Sequence, residues 1–229
     1  MPIKCLLCVS KCFYMNEQQQ TLSDLQHIKN MMERSSRFIS LSGLSGVAAG
    51  ICALVGAWFA NQVIMDSGGP SSYREAVART IGTESLQEFM GHRLFIIASF
   101  TFFSALLLSF IFTYIRSKKN KIPIWGTTAK RLIWNVAIPM GAGAIYLFKQ
   151  MQFGNYGLIA PGCLIFYGLA LVNASKYTLS EIRYLGYCQL IIGIVNCWFV
   201  GYGLYFWAIG FGVFHIVYGL LMWYRYERK

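Results

Sequence analysis

Charge is what this chain lacks. Only 13% of its 229 residues are charged, against about a quarter in an ordinary globular domain. Nine carboxylates serve the whole length, too few to clothe a soluble surface. None of them falls in the charge-free runs Phe38–Met65, Leu94–Ile115, Leu132–Phe148, 150–175 and Tyr184–Tyr224. Ionisable groups inside a membrane mark proton relays and ion paths. The absence of carboxylates there argues against a carboxylate-based proton or cation pump and against aspartyl or metal-dependent hydrolysis within the membrane. Histidine is scarce too: His27, His92 and His215 stand far apart and no HExxH spacing occurs. Cys5 and Cys8 form a lone CxxC with no second pair to complete a zinc set. No catalytic residue, metal ligand or cofactor is therefore assigned. The composition also excludes disorder, collagen-like repeats and a sizeable soluble catalytic domain.

What is present is apolar length. The set AVILMFWYC makes up 56% of the chain and the mean hydropathy is +0.48. A hydrocarbon core about 30 Å thick takes roughly 20 helical residues. Phe38–Met65 and Leu94–Ile115 each supply one span, and Leu132–Phe148 a short one. A fourth fits at 156–173. The last run is about twice the length of a span, with Gly201-Tyr-Gly203 as a turn signal at its middle, so it divides in two. The expectation is an all-α polytopic membrane protein, a six-transmembrane-helix bundle with spans at about 38–64, 92–115, 131–149, 156–173, 183–200 and 203–224. An outer loop would cover 66–90.

The basic residues orient it. With the N-terminus inside, sixteen of the twenty Lys and Arg fall on the inner segments; only Arg74, Arg79, Arg93 and Lys149 fall outside. Five carboxylates lie inside and four outside, so the whole net charge of +11 is on the inner face. The positive-inside rule then predicts N-in/C-in. It also removes any need for a nucleic-acid partner, while an inner face of this charge favours anionic lipid headgroups. Trp198 and Trp207 flank the Gly201–Gly203 turn as an outer aromatic belt would.

Residues 1–14 read as a dispensable leader, or as the product of an upstream start codon, because Met15 opens a polar stretch typical of an N-terminus. Residues 15–37 read as a cytosolic or interfacial amphipathic helix, with Leu22, Leu25, Ile28 and Met32 on one side and Lys29, Arg34 and Arg37 at the membrane end. In the outer loop, Ser72-x-x-Glu75 and Ser85-x-x-Glu88 are capping boxes. Residues 225–229 form a basic tail on the inner side.

Four residues are candidates for a ligand site. His215 is the ionisable histidine deep in a span, and Asn135 is a polar side chain at depth. Pro139 and Pro161, each near glycines, interrupt spans three and four, and Pro/Gly-broken helices point to transporter-like sites. The plainer alternative for all four is interhelical packing. Small residues recur as packing faces: Ser42, Gly46 and Gly50 every four on span one, and Gly186/Gly193, Gly203/Gly210 and Gly212/Gly219 every seven on spans five and six. The span-one stripe serves either packing within the chain or pairing between protomers.

The stretch Met31-Met-Glu-Arg-Ser-Ser-Arg-Phe-Ile-Ser-Leu-Ser-Gly-Leu-Ser-Gly-Val-Ala-Ala-Gly50 resembles the opening of uncharacterised multi-span inner-membrane proteins of Bacteroidetes bacteria. The resemblance covers about 35 residues and implies a multi-pass protein of the bacterial cytoplasmic (inner) membrane. It carries no activity and no site residues. Two readings of function stand. One is a non-enzymatic membrane module acting through association with itself or with a membrane-protein partner. The alternative is a small transporter or ligand-binding protein for an uncharged or lipophilic small molecule.

Overall fold

The computed structural model describes residues 42–66, 68–71, 93–120 and 126–228. The leader, the amphipathic helix at 15–37, both capping boxes, His27 and His92 lie outside the described residues. Every regular element among the described residues is helical: α1 Gly43–Asp66, α2 Arg93–Asn120, α3 Thr127–Gln152, α4 Ile159–Ala174, α5 Ile182–Trp198 and α6 Gly203–Tyr226. A 3₁₀ turn, Tyr156–Leu158, leads into α4. Five of these helices are long and apolar enough to cross a membrane. The other, α5, has 17 residues, about 25 Å at ~1.5 Å rise per residue.

The charge-free run Leu132–Phe148 is only the middle of α3, which extends to 26 residues by including Lys130, Arg131 and Lys149. Long basic side chains can lay their stems along the helix and keep the charge in the interface, so the helix outlasts its apolar centre. Pro161 does not break α4. It occupies the first turn of that helix, where a missing N–H removes little because those donors lack helical acceptors anyway. Pro139 does lie inside a helix.

α1 packs between α2 and α6; α4 packs against α3, α5 and the first part of α6; α5 also touches α6. Glycine decides how closely these pairs approach. A Cβ placed on Gly43 would lie 2.5 Å from the Gly219 carbonyl oxygen, and one on Gly219 would lie 2.6 Å from the Gly43 carbonyl oxygen. Gly50 meets the Gly212 carbonyl at 2.7 Å in the same way, and Gly46 faces the Gly219 Cα. The span-one stripe is therefore engaged within the chain, against α6. Gly212 and Gly219 face α1, whereas Gly210 faces Leu164 of α4 and Gln189 and Ile192 of α5. On the other side, Gly186 and Gly168 each approach the other's carbonyl at 2.9 Å, and Gly193 abuts the Ile165 nitrogen. Gly168 went unmarked in the sequence because no fixed spacing links it to another glycine on its own helix.

Gly154 (φ 72°) and Gly201 (φ 90°) sit in the left-handed region and reverse the chain between α3 and α4 and between α5 and α6, where a side chain would be strained. Around the second turn, Trp198 is 76% exposed and Phe199, Tyr202 and Tyr205 are exposed beside it, an arrangement suited to an interfacial belt.

Candidate functional site

α6 is not uniform. Between Gly203–Trp207 and His215–Tyr226 it passes through a π-helical segment, Ala208–Phe214. The wider turn opens the Gly210 carbonyl to side chains. His215 Nδ1 lies 3.0 Å from that oxygen and Gln189 Nε2 lies 2.8 Å from it. A carbonyl can only accept, so Nδ1 carries a proton and Gln189 presents its amide N–H₂. In the neutral ring Nε2 is then the acceptor, and the Tyr167 hydroxyl of α4, 2.8 Å away, donates to it. Phe211 stacks on the imidazole at 5.9 Å and Tyr167 at 5.5 Å, between ring centroids, while Trp207 packs on Phe211. His215 is buried at 6% exposure, held by one backbone carbonyl, one phenol and two rings.

This geometry leaves polar atoms over. Gln189 and Asn196, seven residues apart on α5, are both 0% exposed. Among the described residues, Gln189 Oε1 and both side-chain polar atoms of Asn196 have no hydrogen-bond partner. Asn196 Nδ2 faces the start of α6 at Gly203. Neither residue was marked as a site in the sequence: a glutamine and an asparagine among apolar residues show depth, and only the tertiary structure shows them unpaired. Tyr218, one turn after His215, also has a buried hydroxyl without a hydrogen-bond partner among the described residues.

Asn135 and Pro139 are elsewhere, on the α3–α4 interface, and the structure does not bring them to His215. The proline at 139 has no N–H to offer the carbonyl four residues back, which is that of Asn135. Asn173 of α4 supplies the missing donor, with Nδ2 2.7 Å from that oxygen. The Asn135 side chain itself donates to the Arg131 carbonyl of its own helix at 2.8 Å. Pro161 is fully buried at the start of α4 and makes no polar contact of its own beyond its carbonyl.

Two carboxylates organise the C-terminal end of α6, the start of α1 and the loop before α5. Glu227 accepts from the Gly43 N–H and the Ser42 hydroxyl at the start of α1 and pairs with Arg116 of α2. It thus supplies, from another helix, the anionic cap that an α-helix N-terminus favours. Ser42 belongs to this knot and not to the glycine face that begins one residue later. Glu181 accepts from the Tyr226 hydroxyl at 2.7 Å and pairs with Arg225 at 3.1 Å. Burial opposes its ionisation, but the Tyr226 hydroxyl, its own backbone N–H, Arg225 and Ser180 outweigh that and hold the carboxyl below its ordinary value.

A shallow cleft between the end of α1 and the start of α6, lined by Asn61, Ile64, Pro70, Gly201, Leu204 and Tyr205, lies about 15 Å along α6 from His215 at ~1.5 Å per residue. Among the described residues no three of His, Cys, Asp and Glu come together in a group able to hold a metal ion. The polar core of α4, α5 and α6 is thus the candidate site: one relay-capable His–Tyr pair and a set of unpaired amide and phenol groups. Compared with known proteins, the chain matches no family model, no curated protein and no solved structure.

Proposed function

We propose that the chain is a six-span protein of the bacterial cytoplasmic membrane with both termini inside, and that its polar core binds a small uncharged or lipophilic molecule able to hydrogen-bond. It would act as a small transporter or ligand-binding protein. The supporting observation is the pair Gln189 and Asn196, wholly buried with unpaired polar atoms. An unsatisfied polar group in hydrocarbon is destabilising by several kcal/mol, so a partner that satisfies these atoms would be bound there with considerable driving force. α5 is the short fifth span that completes the six in this reading, and the sixteen inner Lys and Arg set the orientation. Anionic headgroups are the lipid partners of that face.

Native mass spectrometry of protein released from mild detergent tests the binding reading. Wild type should retain a defined non-lipid mass that a Gln189→Leu/Asn196→Leu variant loses. Equal retention by both proteins would move the site elsewhere. Orientation is tested by a phosphatase fused after Lys229, expected inactive, and one inserted in the 66–90 loop, expected active; the reverse pattern would refute it.

The association reading retains one observation. α2 packs on α1 and α3 packs on α4, leaving Phe100, Phe103, Trp134 and Ile145 about 67–77% exposed on faces that lipid or a membrane protein would cover. A non-enzymatic module of this kind would appear in the same spectrum as a bare oligomer or a complex with a second protein. The α1 glycine stripe would not carry it, because α6 occupies that face.

A further inference from the structure

α6 joins two groups of helices. Among the described residues, α1 and α2 pack together on one side of it and α3, α4 and α5 on the other, with no close packing between the groups themselves. Glycine fastens each group: Gly43 and Gly50 of α1 meet the α6 backbone at Gly219 and Gly212, and Gly168 of α4 meets Gly186 of α5. α6 lies along α1 for its whole length, but among the described residues α4 and α5 pack closely only on its outer part, Gly203–Phe214. There Gly203 abuts Ala160, and Gly210 abuts Leu164 and Gln189. Beyond Phe214, side chains fill the seam between α6 and the α4–α5 pair. His215, Tyr218, Met222 and Tyr226 follow one another at steps of three or four residues, hence on one face of α6. That face begins at His215, which meets the Tyr167 hydroxyl of α4 at 2.8 Å. It ends at Tyr226, whose hydroxyl donates to Glu181 at 2.7 Å in the loop before α5. Between them Met222 is buried, and the Tyr218 hydroxyl is buried without a hydrogen-bond partner among the described residues. Arg225 meets the same Glu181 oxygen at 3.1 Å, with its own side chain 68% exposed. Ion pairs as exposed as this one hold weakly, so the seam ends in a closure that is easily undone.

We propose that Glu181, Tyr226 and Arg225 form a latch across the inner end of this seam, and that its release opens the polar core to the cytoplasmic side. The inner part of α6 then moves with α1, because the two backbones are in contact at Gly43 and Gly219. The pivot is the π-helical segment Ala208–Phe214, since helices bend at such insertions. The outer part of α6 stays in place, held by the close approaches of Gly203 to Ala160 and of Gly210 to Leu164. From Tyr226 to His215 the rise is about 16 Å at ~1.5 Å per residue, roughly half a hydrocarbon core. An entering molecule would thus meet the Tyr218 hydroxyl first and then the Tyr167–His215 pair, with Gln189 beyond it across the shared Gly210 carbonyl. The inference rests on the binding reading, to which it adds the route of entry, and on the inward orientation of Glu181.

The test is a distance measurement by double electron–electron resonance on full-length protein in nanodiscs, with the native cysteines replaced by alanine. Spin labels on Lys176→Cys and Tyr224→Cys, both at exposed positions, span the seam. Labels on Leu44→Cys and Tyr224→Cys span the α1–α6 interface as the control. Glu181→Ala should raise the ratio of long to short distances across the seam roughly tenfold, the effect of losing a hydrogen bond to a charged acceptor. The control distance should not change, which also shows that the variant is folded. Tyr226→Phe, which keeps the Arg225 pair, should shift the seam in the same direction by less. The side of opening is read with a membrane-impermeant maleimide on Tyr218→Cys. In Glu181→Ala it should react about tenfold faster than with the latch intact when applied to the inner face of inverted vesicles, and no faster when applied to the outer face of spheroplasts. Unchanged seam distances in Glu181→Ala, a control distance that lengthens with the seam, or equal acceleration from the outer face would each overturn the latch. Failure of the binding reading is distinct: it is a bare wild-type mass spectrum, which leaves these distances unchanged.

Discussion

The Asn135 carbonyl offers a decisive double-mutant cycle, because one defect and its remedy lie on different helices. Pro139 withholds the i−4 donor, and Asn173 replaces it from α4 at 2.7 Å. Asn173→Leu should leave that carbonyl unpaired against an apolar helix. Loss of a partner to a buried acceptor is worth about 1–3 kcal/mol, and hydrogen bonds between membrane helices reach at most about 1.7 kcal/mol, so a loss of about 1–2 kcal/mol is expected. In a Pro139→Ala background the helix supplies its own N–H to the same oxygen. There Asn173→Leu should cost under about 0.5 kcal/mol, giving a coupling of about 1 kcal/mol, roughly fivefold in the unfolding equilibrium. Reversible unfolding in mixed micelles with rising SDS measures all four proteins. Equal costs of Asn173→Leu in the two backgrounds would refute the compensation and return Asn135 and Pro139 to consideration as ligand-site residues.

Gly43→Val or Gly219→Val should abolish folded yield, since each new Cβ would lie within about 2.6 Å of backbone on the opposite helix. Gly141→Ala, with nothing within 4 Å, should be neutral or stabilising by about 0.5–1 kcal/mol; monodisperse yield on size exclusion separates the two outcomes. Glu227→Gln should loosen the start of α1 and leave Arg116 without its carboxylate partner, raising hydrogen exchange at the first turn of α1 while α4 and α5 keep their protection. Glu181, held below its ordinary value near 4.5, should add stability that is complete above that pH and declines as pH falls through the folded-state value. Tyr226→Phe should weaken that acid dependence, and a titration identical to wild type would mean that the phenol does not hold the carboxylate.

The prolines show the limits of sequence reasoning most clearly. Pro139 and Pro161 look alike in the sequence, each apolar-flanked and within two residues of a glycine. Their difference depends on where the helix starts: Pro161 falls in a first turn, whose donors have no helical acceptor, and Pro139 falls mid-helix, where Asn173 must answer for it. The glycine stripe of α1 was legible as a packing face because i, i+4 spacing fixes a side of a helix. Its partner was not, because which helix comes to lie there depends on contacts 160 or more residues away. Gly168 and the pairing of Gly186 with it were hidden for the same reason.

Hydropathy acts residue by residue, so it alone pointed to an all-helical chain with helices long and apolar enough to cross a membrane, and to the approximate place of each; both depend only on local length and composition. His215 was visible by its depth. The π-helical turn at Gly210, the Tyr167 hydroxyl that meets the imidazole, the unpaired amides of Gln189 and Asn196 and the helix-capping role of Glu227 were decided by the tertiary structure. Each of them is a relation between groups distant in the chain, and a hydrogen bond, made or missing, is a matter of ångströms that no spacing along one helix can set.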